Sequence, residues 1–204
     1  MKSNVLITVL PLVLLMGCTR DQPQTQDNNT NKPLNTNAIM EHNEKDFTTT
    51  ILVDKSAADA YAGIMNFRGW WSEGIEGHTD KLNETFFYHH KNIHLCKLKL
   101  VEAVPAKKLV YKVLENEFSF TKDKSEWVNT NLVFDLRPEG DKTKIRFTHQ
   151  GLVPAYECYE ICNEAWTIYI QRSLYNFITT GKGEPNPKEG GGFNEQLDKK
   201  WNLE

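Results

Sequence analysis

Hydrophobic and polar positions change rhythm along the chain, and each change marks a boundary. From Phe47 to Val53 the run Phe-Thr-Thr-Thr-Ile-Leu-Val is rich in β-branched residues and predicts a strand. Ser56 then offers an N-cap oxygen to a helix whose Ala60, Tyr61, Ile64 and Met65 share one side, with its end expected near Gly69-Trp70-Trp71. After a glycine-bearing loop to Gly77, strand-like runs cover Glu84 to His89, His94 to Val104, Lys108 to Phe120, Trp127 to Leu136 and Lys142 to His149. Turn-forming Val104-Pro105-Ala106, Lys122-Asp123-Lys124 and Pro138-Glu139-Gly140-Asp141 lie between them, which predicts an antiparallel meander. Within Tyr156 to Thr180 the period becomes helical: Cys158, Cys162, Ala165, Trp166, Tyr169, Ser173 and Phe177 recur at spacings of three and four, with Pro154 before and Gly181 after. The order predicts an α+β fold in which a curved antiparallel sheet wraps around the long C-terminal helix, because the helix stripe needs an apolar face to cover it.

The flanks read differently. Met1 to Gly17 carries one charge, Lys2, and the apolar run Val5 to Leu15. At ~1.5 Å per residue that run is about half as long as a ~30 Å hydrocarbon core, and Pro11 would kink it, so residues 1–17 read as a signal peptide. Leu15-Met16-Gly17-Cys18 resembles the bacterial lipobox, which implies cleavage before Cys18 and lipidation of its thiol and new amino terminus. Residues 18–46 hold Asn28-Asn29-Thr30-Asn31, Asn35-Thr36-Asn37, Pro23 and Pro33 with almost no apolar period, the composition of a disordered polar tether. Residues 47–183 form the predicted domain, and 184–204 a tail that opens with the linker-like Glu184 to Gly192. Phe193, Leu197 and Trp201 recur every four residues at its end, leaving docking or mobility open.

Charge and cysteine content narrow the classes. With 24 Lys+Arg against 27 Asp+Glu the net charge is −3, so no basic surplus exists for a phosphate backbone and no nucleic-acid partner is expected. Of the 4 cysteines, lipidation of Cys18 leaves Cys96, Cys158 and Cys162, too few for a disulfide scaffold.

Several motifs carry a family likeness. Phe47-Thr-Thr-Thr-Ile-Leu-Val-Asp-Lys-Ser56, the Trp70-Trp71 pair, and above all His149-Gln-Gly-Leu-Val-Pro-Ala-Tyr-Glu-Cys-Tyr-Glu-Ile-Cys162 with Trp166, Ser173-Leu174 and Thr179-Thr-Gly-Lys-Gly-Glu-Pro185 resemble the SRPBCC or START-like superfamily. The branch is similar to the activator of the ninety-kilodalton heat-shock protein's ATPase. The resemblance spans roughly residues 47 to 185 and implies a helix-grip fold with a cavity between sheet and last helix. It also implies a small apolar ligand, a protein partner or, in some relatives, catalysis in that cavity. A cytosolic chaperone role sits poorly with a lipobox.

Strand parity and this fold together select the candidate site. In Lys144 to His149, alternation turns Phe147 and His149 inward; in His94 to Leu100 it does the same for His94 and Cys96. Cys158 and Cys162 lie on the helix expected to cover them. Three readings stay open: a zinc or copper site, a Cys158–Cys162 disulfide, or small core residues beside a hydrogen-bonded histidine, the last being preferred. Trp70 and Trp71 either close the core or gate the cavity; Tyr111, Phe134, Trp166 and Tyr169 are core residues that double as ligand wall in such a fold. His89 and His90 alternate across a strand and read as surface or edge, and Glu157, Glu160 and Glu164 as a solvated helix face. There is no nucleophile elbow, zinc-protease helix, phosphate loop or dinucleotide fingerprint, so neither a catalytic residue nor a cofactor is assigned.

The expected protein is a lipid-anchored cell-envelope domain, facing periplasm or exterior from the cell or outer membrane, that binds a small, mainly apolar ligand. A module recruiting an envelope protein through Trp70, Trp71 and the tail is the alternative, and a cavity enzyme using His149 as acid or base the third.

Overall fold

A computed structural model describes residues 45–203. Seven strands form one antiparallel sheet: β1 (Phe47–Val53), β2 (Glu76–Gly77), β3 (Thr85–His90), β4 (His94–Val104), β5 (Lys108–Phe118), β6 (Asn131–Glu139) and β7 (Lys142–Gln150). Their order across the sheet is β1-β7-β6-β5-β4-β3-β2, so the first strand returns to lie beside the last, with Phe47 opposite His149 and Ile51 opposite Ile145. Alternation places the core face: Phe86 and Tyr88 in β3, Leu98 and Leu100 in β4, Leu132 and Phe134 in β6, Ile145 and Phe147 in β7 are all buried, with Val133 of β6 buried as well. Register shifts at Lys97/Leu98 and Leu100/Glu102 break the β4–β5 ladder, the device by which a sheet bends around what it covers.

Between β1 and β2 the chain makes α1 (Ala57–Met65) and α2 (Phe67–Trp70). Ser56 caps α1 as its type predicts, its Oγ accepting from the Asp59 N–H at 3.1 Å. The helix does not run unbroken to Trp70; Asn66 leaves helical geometry, and the new turn brings Phe67 and Trp70 onto the core, 4.8 Å apart. The strand expected from Trp127 begins instead at Asn131, because Asn129 has a left-handed φ of 69° and the Thr130 hydroxyl donates back to the Trp127 carbonyl at 2.6 Å. Trp127 therefore sits in a turn that tucks its indole beneath the sheet.

The closing helix runs as α3 (Tyr159–Ile168), a π-helical segment (Tyr169–Leu174) and α4 (Tyr175–Thr180), starting three residues later than the period predicts and ending at Gly181, whose φ is 79°. The π turn holds one residue more than an α turn would, and it moves the buried stripe. Up to it Cys162, Trp166 and Tyr169 face in; beyond it Ile170, Ser173, Leu174 and Ile178 do, leaving Phe177 only partly buried. Ser173 ties the helix to its surroundings, donating to the Trp70 carbonyl at 2.6 Å and accepting from the Glu184 N–H at 2.7 Å. Gly183 passes so close to α2 that a Cβ there would collide with the Gly69 carbonyl oxygen.

The tail packs onto this frame. Asn186 bridges Ser72, with Asn186 N–H donating to the Trp71 carbonyl at 2.9 Å, and α5 (Gly192–Trp201) lays Phe193, Leu197 and Asp198 against the domain. Phe193 meets the Tyr169 ring at 4.6 Å, while Trp201 stays half exposed and donates its indole N–H to Glu164 at 3.0 Å.

Candidate functional site

Aromatic side chains fill most of the space between sheet and long helix. Trp70, Phe67, Tyr111, Phe134 and Phe147 are fully buried and touch in sequence, Phe67 to Tyr111 at 4.8 Å and Phe134 to Phe147 at 4.9 Å. Their donors are satisfied: Trp70 Nε1–H donates to the Ile64 carbonyl at 3.0 Å and Tyr111 O–H to the Thr79 carbonyl at 3.0 Å. An apolar-walled pocket of about 60 Å³ remains at one end. Its walls come from β3, β4 and the turn between them (Tyr88, His90, Ile93, His94), the β5 end and following turns (Phe118, Phe120, Trp127), the long helix (Ile161, Cys162, Ala165, Trp166, Tyr169) and α5 (Asn194, Leu197, Asp198), with Trp71 and Leu203.

Of the eleven residues that the sequence gathers around a cavity, Trp71, His94, Cys162, Trp166 and Tyr169 line this pocket. Trp70, Cys96, Tyr111, Phe134, Phe147 and His149 lie in the packed core. Both tryptophans of the 70–71 pair are buried, so neither is available to recruit a protein partner, and only Trp71 touches the pocket.

His149 is locked. Trp166 Nε1–H donates to its Nδ1 at 3.1 Å, which leaves the ring proton on Nε2, 2.8 Å from Thr130 Oγ1; the Thr130 hydroxyl passes its own proton to the Trp127 carbonyl. Burial is the main reason its pKa falls to about 3, with His94 adding repulsion. A fully buried, neutral ring with both nitrogens engaged has no lone pair or proton to lend to a reaction. His94 is likewise pushed down to about 3 by burial, against a partly restoring bond from its Nε2 to Asn116 Oδ1 at 2.8 Å.

Cys96, Cys158 and Cys162 are free, buried thiols. Cys158 and Cys162 sit one turn apart, and the hydrogen bond to Cys162, followed by burial, raises the Cys158 pKa. Among the described residues no group of three or more His, Cys, Asp or Glu side chains is placed to hold a metal ion.

Several contributors escape sequence reasoning. Glu126 is buried and accepts from the Glu157 and Cys158 N–H groups at 2.6 and 2.9 Å, closing the start of α3 with negative charge where the helix dipole favours it. His90 lies on the edge of β3 beyond its pairing with β2 and shares the inner face with Tyr88, half-buried where a solvated side chain is the other expectation. Its Nε2 lies 3.0 and 2.9 Å from the two oxygens of the buried Asp198, which Lys91 also contacts at 2.9 Å. The expected solvated face is also occupied: Glu157 accepts from Lys122 N–H, and Glu164 takes Lys200 and Trp201. A buried polar knot joins Tyr169 O–H to Asn194 Oδ1 at 3.0 Å and Asn186 to both tyrosines; burial raises the pKa of Tyr88 and Tyr169.

Solved structures share the fold. The solution structure of the Aha1 dimer from Colwellia psychrerythraea superposes with a TM-score of 0.56 at 20% identity, covering 68% of this chain and 99% of that one. This is the helix-grip fold. The helix-grip domain is also similar to crystal structures of a Staphylococcus saprophyticus protein (TM-score 0.51, 10% identity, 68% of this chain and 95% of that one) and a Mesorhizobium loti protein (0.51, 12%, 65% and 96%). No family model matches the chain, and neither does any curated protein. The likeness is one of fold, the same fold to which the motifs around Trp70-Trp71 and His149 to Cys162 point.

Proposed function

We propose that the helix-grip domain receives a small, mainly apolar ligand in the pocket beneath α5, at the cell envelope and tethered there through lipidated Cys18. The observation that carries the reading is the pocket itself, an apolar-walled space between sheet and long helix. At about 60 Å³ it is far below the ~300–1,000 Å³ of sites that engulf a drug-sized molecule, so the buried part of the ligand is one ring or the end of an alkyl chain. The lipobox supports the membrane anchor, and several acyl chains would hold durably where one binds marginally. Among the described residues no helix is long and apolar enough to cross a membrane.

The test is to produce residues 19–204 in a periplasmic host, compare native and denaturing masses, and extract the protein with organic solvent. A releasable adduct of small mass supports the reading and gives its chemical class. A clean mass, together with no uptake of apolar probes, removes it in favour of the second reading, docking of an envelope protein. That reading is favoured by how completely Trp70, Tyr111, Phe134 and Phe147 fill the rest of the interior.

A further inference from the structure

α5 is fastened to the domain differently from the segment that leads to it. Asn186 is clamped through the main chain, its N–H donating to the Trp71 carbonyl and its carbonyl accepting from the Glu73 N–H, each at 2.9 Å. Among the described residues, no backbone–backbone hydrogen bond joins residues 192–201 to the rest of the domain. Side chains alone hold α5 down. Its first turn rests Phe193 and Asn194 on Tyr169. Further along, Asp198 takes His90 and Lys91 on the β3 side of the pocket, and Lys200 with the Trp201 indole takes Glu164 on the α3 side. The helix therefore lies across the pocket as a strap with one fastening on each bank, and its Asn194, Leu197 and Asp198 form part of the wall.

The join is built to turn. Gly190, Gly191 and Gly192 connect the clamped segment to α5 with φ of 88°, 94° and 70°, and a Cβ at Gly190 would meet nothing within 4 Å. Three glycines in succession oppose a change of φ and ψ less than any other residues would, and no side chain caps the start of α5. Hinges are made of a few such residues at the ends of elements. Of the two fastenings, the one on Glu164 lies in solvent-accessible side chains and holds weakly, so the buried carboxylate of Asp198 decides whether α5 stays down. We propose that α5 is a gate, hinged at Gly190–Gly192 and latched by Asp198 on His90 and Lys91, that lifts to admit the ligand and closes over it. This rests on the ligand-binding reading and gives that site its regulation.

Cys162 reports the movement without any ligand. It lines the pocket beneath α5, whereas Cys96 sits elsewhere in the core, and both are buried free thiols. All described elements lie within residues 45–203, so a chain of residues 19–204 retains the whole domain. Alkylation of that chain by iodoacetamide, followed by peptide masses, reads each thiol separately. Asp198→Asn is expected to speed the alkylation of Cys162 about tenfold and to leave that of Cys96 unchanged. Glu164→Gln, which replaces no buried group, is expected to move Cys162 in the same direction by less. Fluorobenzene, a single ring followed by ¹⁹F NMR, reads passage into the pocket: Asp198→Asn should raise its entry and exit rates together, whereas loss of a contact with the ligand would raise exit alone. If Cys96 speeds up with Cys162, or if neither variant changes Cys162 and fluorobenzene enters as before, the gate falls and the pocket stands. If fluorobenzene does not bind the native chain, the pocket reading falls and takes the gate with it.

Discussion

His149 and His94 turn burial into a pH dependence. Each ring titrates at about 3 when folded against 6.5 for a free imidazole. Between those values the unfolded chain binds more protons than the native one, so the stability contributed by keeping the rings neutral is complete above about pH 6.5 and declines as the pH is lowered toward 3. The slope is up to about 1.4 kcal/mol per pH unit for each ring. Urea midpoints measured at pH 7 and pH 5 should differ accordingly, and His94→Phe should halve the difference; equal midpoints would contradict the burial argument. Glu164 and Glu184, held low by Lys200 and Arg172, lose their contribution only as the pH falls below the ordinary carboxylate value of 4.5, so they do not enter a comparison of pH 7 with pH 5. Glu126→Gln tests the other buried polar device: it removes the charge facing the Glu157 and Cys158 N–H groups and should cost about 2 kcal/mol in chemical denaturation. The inward aim of His149 was legible from alternation in β7, whereas the role of Glu126 was not, since its partners lie 31 and 32 residues further on.

At the scale of elements, legibility followed periodicity. β4, β7 and the long helix carry uninterrupted alternation or helical spacing, and their limits stand within a few residues of those expected. β6 lost Trp127 to Thr130 because one left-handed residue, Asn129, ends the turn, and no apolar pattern records a backbone φ. Glu184 to Gly192 has the composition of a linker, yet Asn186 is buried through backbone bonds to Trp71 and Glu73, contacts that need only peptide groups and so leave no side-chain trace. α5 then covers the pocket with Leu197 and Asp198. Removing residues 191–204 should uncover Tyr169 and the indole of Trp166, raise the fluorescence of an added anilinonaphthalene dye and lower the unfolding temperature. An unchanged dye signal would show that α5 is not the cover. Asp198→Asn is the milder variant; it leaves the apolar contacts and should weaken the docking of α5 by breaking the buried link to His90 and Lys91.

At the scale of the molecule, the sheet and its closing helix were foreseeable because an amphipathic helix of that length has to be covered, and successive β-rich runs supply the cover. The size of the remaining space was not foreseeable, because sequence shows which residues face inward and not how tightly Trp70, Tyr111, Phe134 and Phe147 interlock. The proposed lipid anchor makes its own prediction: Cys18→Ser should abolish incorporation of labelled palmitate and leave the protein in the soluble fraction, and retention of that variant on the membrane would sink the proposal. The π turn at Tyr169–Leu174 bears on something else, the tolerance of the chain to gains and losses of single residues. Its extra residue behaves like an insertion that the helix has absorbed without breaking. Deleting the exposed Gln171 would restore an ordinary α-helix and leave Leu174 and Ile178 on the face they now occupy, because they would then stand seven and eleven residues after Trp166, the spacing of a single helical face. The second half of the helix would keep its apolar face toward the sheet, so this π turn is a place where the fold can give up a residue that an unbroken α-helix could not spare.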